Sequence, residues 1–295
     1  MTAEDRAAAL TASVAAVAGS RSVRVACSGG VDSAVVLAAA ARAVGPGRTT
    51  AVTARSPAVP PEEVAAAAAT AAAVGVPHVV VDTDEGSRAG YRRNAGDRCY
   101  FCKTALYETV AALADASGGA VLLNGTNADD LGDHRPGLRA AEEAGVRSPL
   151  AETGCTKRDV RAIASLWRLS VADKPAQPCL ASRIAYGVEV TPERLRRVEE
   201  AERYLRRAFG LAVLRVRTEA GERARIEVPT GDIGAVRERF EAVSAELSRL
   251  GFAAVAIDPA GFRSGSLNDA LPIVETAAVW TGPGQRTTAG TSNTR

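Results

Sequence analysis

Short apolar runs alternate with long alanine-rich stretches through the first half of the chain. "SVRVAC", "TTAVTA", "HVVVDT" and "AVLLNG" read as strands. "DSAVVLAAAARAV", "PPEEVAAAAATAAAVG" and "YFCKTALYETVAALADA" read as helices, the second opened by proline and acids as the helix dipole favours. Strands that are apolar throughout and separated by helices predict a parallel sheet covered on both faces, an α/β doubly wound fold. After "SPL" the pattern changes. "TKRDVRAIASLW" reads as a helix and "DKPAQPCLASRIAYG" as a proline-rich loop. "TPERLRRVEEAERYLRRAF" is a long amphipathic helix with Thr191 as its N-cap. "LAVLRVRTE" and "RARIEVP" (strands), "IGAVRERFEAVSAELSRLG" (helix) and "FAAVAID" (strand) complete a small C-terminal α+β unit. The expected division is residues 1–190, 191–268 and a Gly/Thr/Ser-rich tail, 269–295, of disordered composition.

Charge narrows the partners. With 36 Lys and Arg against 34 Asp and Glu the net charge is +2, so no global basic field calls for nucleic acid. No apolar run reaches the roughly 20 residues of a membrane span. The start lacks a basic segment followed by an apolar one, so no signal peptide is expected and the cytoplasm is the expected location. Five cysteines without an export signal argue against a disulfide framework. Reduced thiols, metal or cluster ligation, and sulfur chemistry remain.

The sharpest chemical signal is "VACSGGVDSAVV". A strand runs into Ser28, Gly29 and Gly30, and a helix begins near Val31, Asp32 and Ser33. Glycines let the backbone approach an anion, and the loop amides and helix N-terminus point at it. Ser28 and Ser33 add hydroxyls, and Asp32 suits a Mg²⁺ held between phosphates. The loop is not a Walker A motif, having no Gly-Lys-Ser/Thr after the glycines. Ser56 in "VTARSPAVP", and Gly125 and Thr126 in "LLNGTNADDLGDHRPG", follow later strands and extend a nucleotide site. Asp129, Asp130 and Asp133 offer carboxylates there, Asp130 being a second Mg²⁺ candidate, and Arg135 is placed to neutralise phosphate.

Cys99 and Cys102 in "RCYFCK" admit several readings. The preceding "GSRAGYRRNAGDR" breaks the strand-to-helix geometry of a thioredoxin-type pair, and no second pair completes a zinc site. Cys179, in "KPAQPCLASRI", has the positive neighbour Arg183, which favours a thiolate. With Cys99 and Cys102 it makes three cysteines, enough for three irons of a [4Fe–4S] cluster with one iron open. The alternative is three unrelated structural cysteines. Cys27 reads as a small buried hydrophobe and Cys155 as a helix-start residue.

Taken in order, "CSGGVDSAVV", "RCYFCK", "NGTNADDLGDHRPG", "GVRSPL", "TKRDVR", "DKPAQPCLASRIAYG" and the "RVR" and "RIEV" strands resemble the LarE-type ATP-dependent sulfur transferases. These are PP-loop enzymes that insert sulfur into the pyridinium precursor of the nickel-pincer nucleotide cofactor. The resemblance spans roughly residues 23–268. It implies a PP-loop ATP-binding domain and a smaller domain for substrate and oligomerisation. ATP would adenylate a substrate carboxylate at Ser28–Ser33, and sulfur at Cys179 would displace AMP. One branch of the family sacrifices the sulfur of a lone cysteine. Another uses three cysteines and a [4Fe–4S] cluster carrying an extra sulfide, and this chain has the three. The implied cofactors are ATP, Mg²⁺ and the cluster. The partner is a nucleotide-like carboxylate, and a homo-oligomer is expected. Arg183 joins Cys179 and Asp32 as a catalytic candidate. Arg215 and Arg217 alternate along one strand, so both face one side and suit a substrate phosphate or carboxylate. Glu227 either binds Mg²⁺ or orients an arginine. Two rival readings are a tRNA-thiolating or amide-forming PP-loop enzyme and a non-catalytic cluster carrier.

Overall fold

The computed structural model describes residues 1–115, 119–132 and 136–263. Asp133, Arg135 and the tail expected at 269–295 lie outside them. Four strands, β1 (Ser22–Ala26), β2 (Thr49–Arg55), β3 (His78–Asp82) and β4 (Ala120–Leu123), form a parallel sheet in the order β3-β2-β1-β4. Alternation along each strand serves two apolar layers. Val23, Val25, Ala51, Val121 and Leu123 pack in one layer with helices Ala3–Ala18, Val31–Val44 and Lys157–Leu166. Val52 and Val81 pack on the other with Leu106, Tyr107 and Val110 of the Arg98–Asp115 helix. This is the doubly wound arrangement the apolar strands predict. Chain order reverses direction between β1 and β4, so the loops leaving their carboxyl ends diverge around a crevice, the usual ligand position in such sheets.

The first helix, Ala3–Ala18, was not foreseen from the apolar pattern. Its signal is a capping box, in which Thr2 accepts from the Asp5 amide and Asp5 accepts from the Thr2 amide. The C-terminal lobe carries β5 (Arg215–Glu219), β6 (Arg223–Glu227) and β7 (Ala254–Ile257), with β5–β6 antiparallel and β6–β7 parallel. Helix Pro192–Phe209 is capped by Thr191, as its sequence predicts. The single helix expected after "PTGD" is two, Ile233–Glu238 and Phe240–Arg249. At the break Arg239 donates to the Ala208 carbonyl and stacks on Phe209. The second lobe's core also takes Ala58, Tyr91, Leu180, Ala181 and Ile184. The loop bearing Cys179 therefore packs with the C-terminal lobe although it precedes residue 191. Among the described residues no helix is long and apolar enough to cross a membrane.

Candidate active site

β1 delivers Cys27–Gly30 to the start of the Val31–Val44 helix, and hydroxyls close the turn. The Ser28 amide donates to Ser33 Oγ at 3.2 Å, the two serine hydroxyls lie 3.3 Å apart, and Ser33 donates to the Gly30 carbonyl at 3.0 Å. Gly29 has φ +76°, and a Cβ there would stand 2.7 Å from the Glu63 carbonyl. Gly125, from the loop after β4, lies so near that a Cβ would come within 2.7 Å of the Ser33 amide nitrogen. Two glycine-bearing loops thus meet at one helix N-terminus, where its amides can meet an anion. Ser56 stands at the end of β2, its Oγ accepting from the Ala58 amide. The Thr126 amide is turned to Asn124 Oδ1.

Asp32 sits in the first turn of that helix. Its Oδ1 accepts from Asn127 at 3.1 Å and its Oδ2 pairs with Lys157. Lys157 opens its own helix, and its amide donates to Asp129 at 2.8 Å. Asp130 accepts from the Asn127 amide at 3.0 Å. Lys157 and Asn127 carry the charge and amide donor that the glycine loop itself lacks. Lys174 donates to the Gly29 carbonyl at 2.9 Å and pairs with Glu63 at 2.7 Å, tying the proline-rich segment to the phosphate loop.

Five residues beyond Lys174 is Cys179. The Leu180 amide donates to the Ala58 carbonyl at 2.8 Å, and Arg98 donates to the Ala181 carbonyl at 2.8 Å. Asn94, in a left-handed conformation with φ 53°, donates to the carbonyls of Ile184, Ala185 and Val188 and accepts from Arg98. The Arg98–Asp115 helix begins two residues before the sequence pattern places it, so Cys99 and Cys102 occupy its first turns. Arg98 therefore fastens their helix to the Cys179 loop. Cys99 is exposed, and Cys102 and Cys179 are half-buried. Surrounding protein raises the Cys99 thiol, Cys179 adds to the rise, and Arg98 and Lys103 oppose it. Burial pushes Cys102 up to about 12, with Cys179, Glu85 and Cys99 adding and Lys103 opposing. Surrounding protein alone would lower Lys103, but Tyr107 and the three cysteines hold it above its ordinary value. The three thiols and Lys103 lie near enough to act on one another electrostatically.

A family description for asparagine synthase matches residues 6–222. Over 258 residues, 88% of this chain and 93% of the relative, the sequence is 37% identical to pyridinium-3,5-bisthiocarboxylic acid mononucleotide synthase of Lactiplantibacillus plantarum. The chain belongs to the LarE-type PP-loop sulfur transferases. An uncharacterised protein of Synechocystis is 45% identical over 84% of the chain and 92% of its own length. One from Methanocaldococcus jannaschii is 33% identical over 58% and 66%.

In this sulfur transferase several of the expected residues are engaged by other groups of the protein. Arg183, expected at the catalytic thiol, is buried and forked onto Glu202, at 2.9 Å through Nε and 3.3 Å through Nη2. Its remaining nitrogen donates to the Cys179 carbonyl at 3.1 Å and to Ser182 Oγ at 3.0 Å. These bonds fix the backbone of the Cys179 loop. Glu227, one of two roles for which was Mg²⁺ binding, is fully buried, with its oxygens accepting from Arg217 and Arg225. Both carboxylate oxygens are thus engaged by arginines, the arrangement of the second of its two expected roles. Arg217 also donates to the Ser182 carbonyl at 2.7 Å, bracing the Cys179 loop from β5. Arg215 is buried beside Phe262, and burial together with nearby Arg183 lowers it to about 10. A guanidinium beside like charge, with no salt bridge to a carboxylate among the described residues, has charge to offer an anion. Among the described residues no group of three or more His, Cys, Asp and Glu is arranged around a single metal ion. A [4Fe–4S] cluster does not require that, since each cysteine ligates a different iron. Three soft donors near one another, flanked by Lys103 and Arg98 to offset thiolate charge, match its chemistry.

Sequence reasoning passed over Lys103, Lys157, Lys174, Arg98 and Asn94. Lys103 follows Cys102 directly, and Lys157 follows a capping threonine, so each had a local signal. Asn94 and Lys174 act through loops 80 or more residues away in sequence and had none.

Proposed function

We propose that this chain is an ATP-dependent sulfur transferase of nickel-pincer cofactor biosynthesis, acting on a pyridinium-3,5-biscarboxylate mononucleotide-like substrate. The phosphates of ATP lie on the Ser28–Ser33 turn, against which Gly29 and Gly125 let neighbouring backbone pack closely and where the helix N-terminus supplies amides. Asp32, with Asp130 behind Asn127, is placed to hold the Mg²⁺ that accompanies ATP. A substrate carboxylate oxygen attacks the α-phosphorus, the α–β phosphoanhydride bond breaks, and pyrophosphate leaves with the electron pair. Lys157, released from Asp32, neutralises charge building on the departing phosphates. The resulting acyl-adenylate is then cut at its acyl C–O bond as a C–S bond forms, and AMP leaves. Arg215 binds an anionic group of the substrate. When bound by Cys99, Cys102 and Cys179, a [4Fe–4S] cluster supplies the sulfur.

The observation that carries this reading is Arg98, which joins the helix of Cys99 and Cys102 to the Cys179 loop, itself tied by Lys174 to the phosphate loop. A tRNA-thiolating enzyme would share the phosphate loop, but the net charge of +2 and the relatedness to a mononucleotide synthase favour the small carboxylate. The test is iron and acid-labile sulfide per chain after anaerobic purification. About four irons, lost in Cys99→Ala, support the cluster route. If no iron binds after reconstitution while a single turnover removes the mass of H₂S from Cys179, the sulfur is sacrificial and the cluster reading fails.

A further inference from the structure

β3 is the outermost strand of the parallel sheet, with β2 on one side of it. The outer edges of β4 and β5 are met by isolated bridges from Arg147 and Ile184, and β3 has no such bridge among the described residues. Hydrogen bonds at its two ends fix which backbone groups face outward. The Ala51 amide donates to the Pro77 carbonyl at 2.9 Å, and the Thr83 amide to the Arg55 carbonyl at 3.2 Å. Odd-numbered residues therefore bond to β2, and the N–H and C=O groups of His78, Val80 and Asp82 point away from the sheet. An open edge is a template for another strand, and proteins ordinarily blunt it with lysine, proline or a bulge. The sequence His-Val-Val-Val-Asp of β3 has none of these, and Val79 and Val80 are 39% and 37% exposed. The surface beside the edge is uncharged as well. Helix Pro61–Val74 packs over β2 and β3, and from Val64 to Val74 it has no charged residue. Ala65, Ala69, Ala72 and Ala73 are exposed on it. A solvent-facing helix normally carries charge on that side, as helix Pro192–Phe209 does with its arginines and glutamates.

We propose that β3 and this helix form an interface with a second copy of the chain, the two β3 strands pairing antiparallel about a two-fold axis at Val80. A two-fold contact needs a patch that is complementary to itself, and β3 has that pattern. Centred on Val80, the pairing lets Val80 exchange both backbone hydrogen bonds with the partner's Val80, His78 with the partner's Asp82, and Asp82 with the partner's His78. These are the three residues whose backbone groups point outward. Val79 then lies opposite the partner's Val81, and an imidazole stands opposite a carboxylate at each end. Centres at Val79 or Val81 leave only two such hydrogen-bonded pairs within the strand and set valine against His78 or Asp82. The alanines of helix Pro61–Val74 let the partner's helix approach beside the paired strands, where long charged side chains would hold the edges apart. The inference does not depend on the sulfur-transfer reading.

Sedimentation equilibrium of the full-length protein under reducing conditions, with cross-linking at single positions, tests this. Wild type should self-associate, and Val80→Lys, which puts a charge on the axis, should sediment at about half the wild-type mass with the same circular dichroism. Val80→Cys should give a covalent dimer on oxidation with diamide, well above the wild-type background set by the native thiols. Its Cα atom and its symmetry mate lie about 5.5 Å apart in a hydrogen-bonded antiparallel pair, within reach of a disulfide. Val79→Cys should not cross-link, because position 79 and its mate are diagonal neighbours about 7–8 Å apart. A wild type that is monomeric throughout the micromolar range overturns the proposal, as does a Val80→Lys variant of unchanged mass. Cross-linking of Val79→Cys as efficient as that of Val80→Cys overturns the pairing about Val80. The cross-linking pair decides the matter if Val80→Lys does not fold.

Discussion

Replacing Arg183 with methionine separates a loop-shaping arginine from a catalytic one. The guanidinium and the Glu202 carboxylate are 2% and 1% exposed, so the pair is fully desolvated. Removing one partner of such a pair costs about 3–5 kcal/mol, because the other charge stays buried. Glu202 would retain Arg206 at 2.8 Å and the Val216 amide at 3.1 Å, which moves the expectation toward 3. Loss of the donor to the Cys179 carbonyl adds about 1 kcal/mol or more. Arg183→Met should therefore destabilise by about 3–5 kcal/mol. The assay is urea denaturation followed by tryptophan fluorescence. Arg183→Met with Glu202→Gln should recover part of the loss, since no uncompensated charge remains. Pyrophosphate release, measured well below the unfolding midpoint, should persist. An unchanged urea midpoint with abolished sulfur transfer would refute the argument and return Arg183 to the chemistry.

Gly125→Ala should disturb the phosphate loop from outside it. Its Cβ would meet the Ser33 amide at 2.7 Å and Asp32 backbone at 3.0 Å, so overpacking of about 1–3 kcal/mol and weaker ATP binding are expected, read by thermal melting and calorimetry. Asp32→Ala should abolish substrate-dependent pyrophosphate release yet leave iron content unchanged; release at the wild-type rate would remove Asp32 from the adenylation step. Glu222 accepts hydrogen bonds from Arg194, and these, with the charges of Arg194 and Arg197, hold it below its ordinary value of 4.5. A carboxylate depressed on folding stabilises above its unfolded pKa, and the contribution is lost as pH falls through the folded one. Glu222→Gln should therefore flatten the acid limb of the stability–pH curve below about 4.5; an identical acid limb would mean the arginines contribute nothing there.

All seven strands stood in the amino-acid order: β1 to β4 because a covered parallel strand leaves a short, largely apolar run, and β5 and β6 because arginines alternate with other residues along them. The phosphate loop was legible for a related reason: serine, glycine and aspartate act there through their own backbone turn, within six residues of one another. The cysteine trio was legible as a list and not as a place. Cys99 and Cys179 are eighty residues apart, and Arg98 and Asn94, reaching backbone carbonyls of a distant loop, help to hold their segments together. The second lobe was the least readable. Arg183, Arg217 and Glu227 had the residue types of a substrate clamp, but a charge in a sequence does not say which partner it will meet. Packing put each arginine against a carboxylate, while Glu85, unremarked in its turn after β3, was buried with none. Local chemistry was determined by the sequence through short-range geometry, and the pairing of charges was decided by tertiary structure, because desolvation depends on everything that closes around a group.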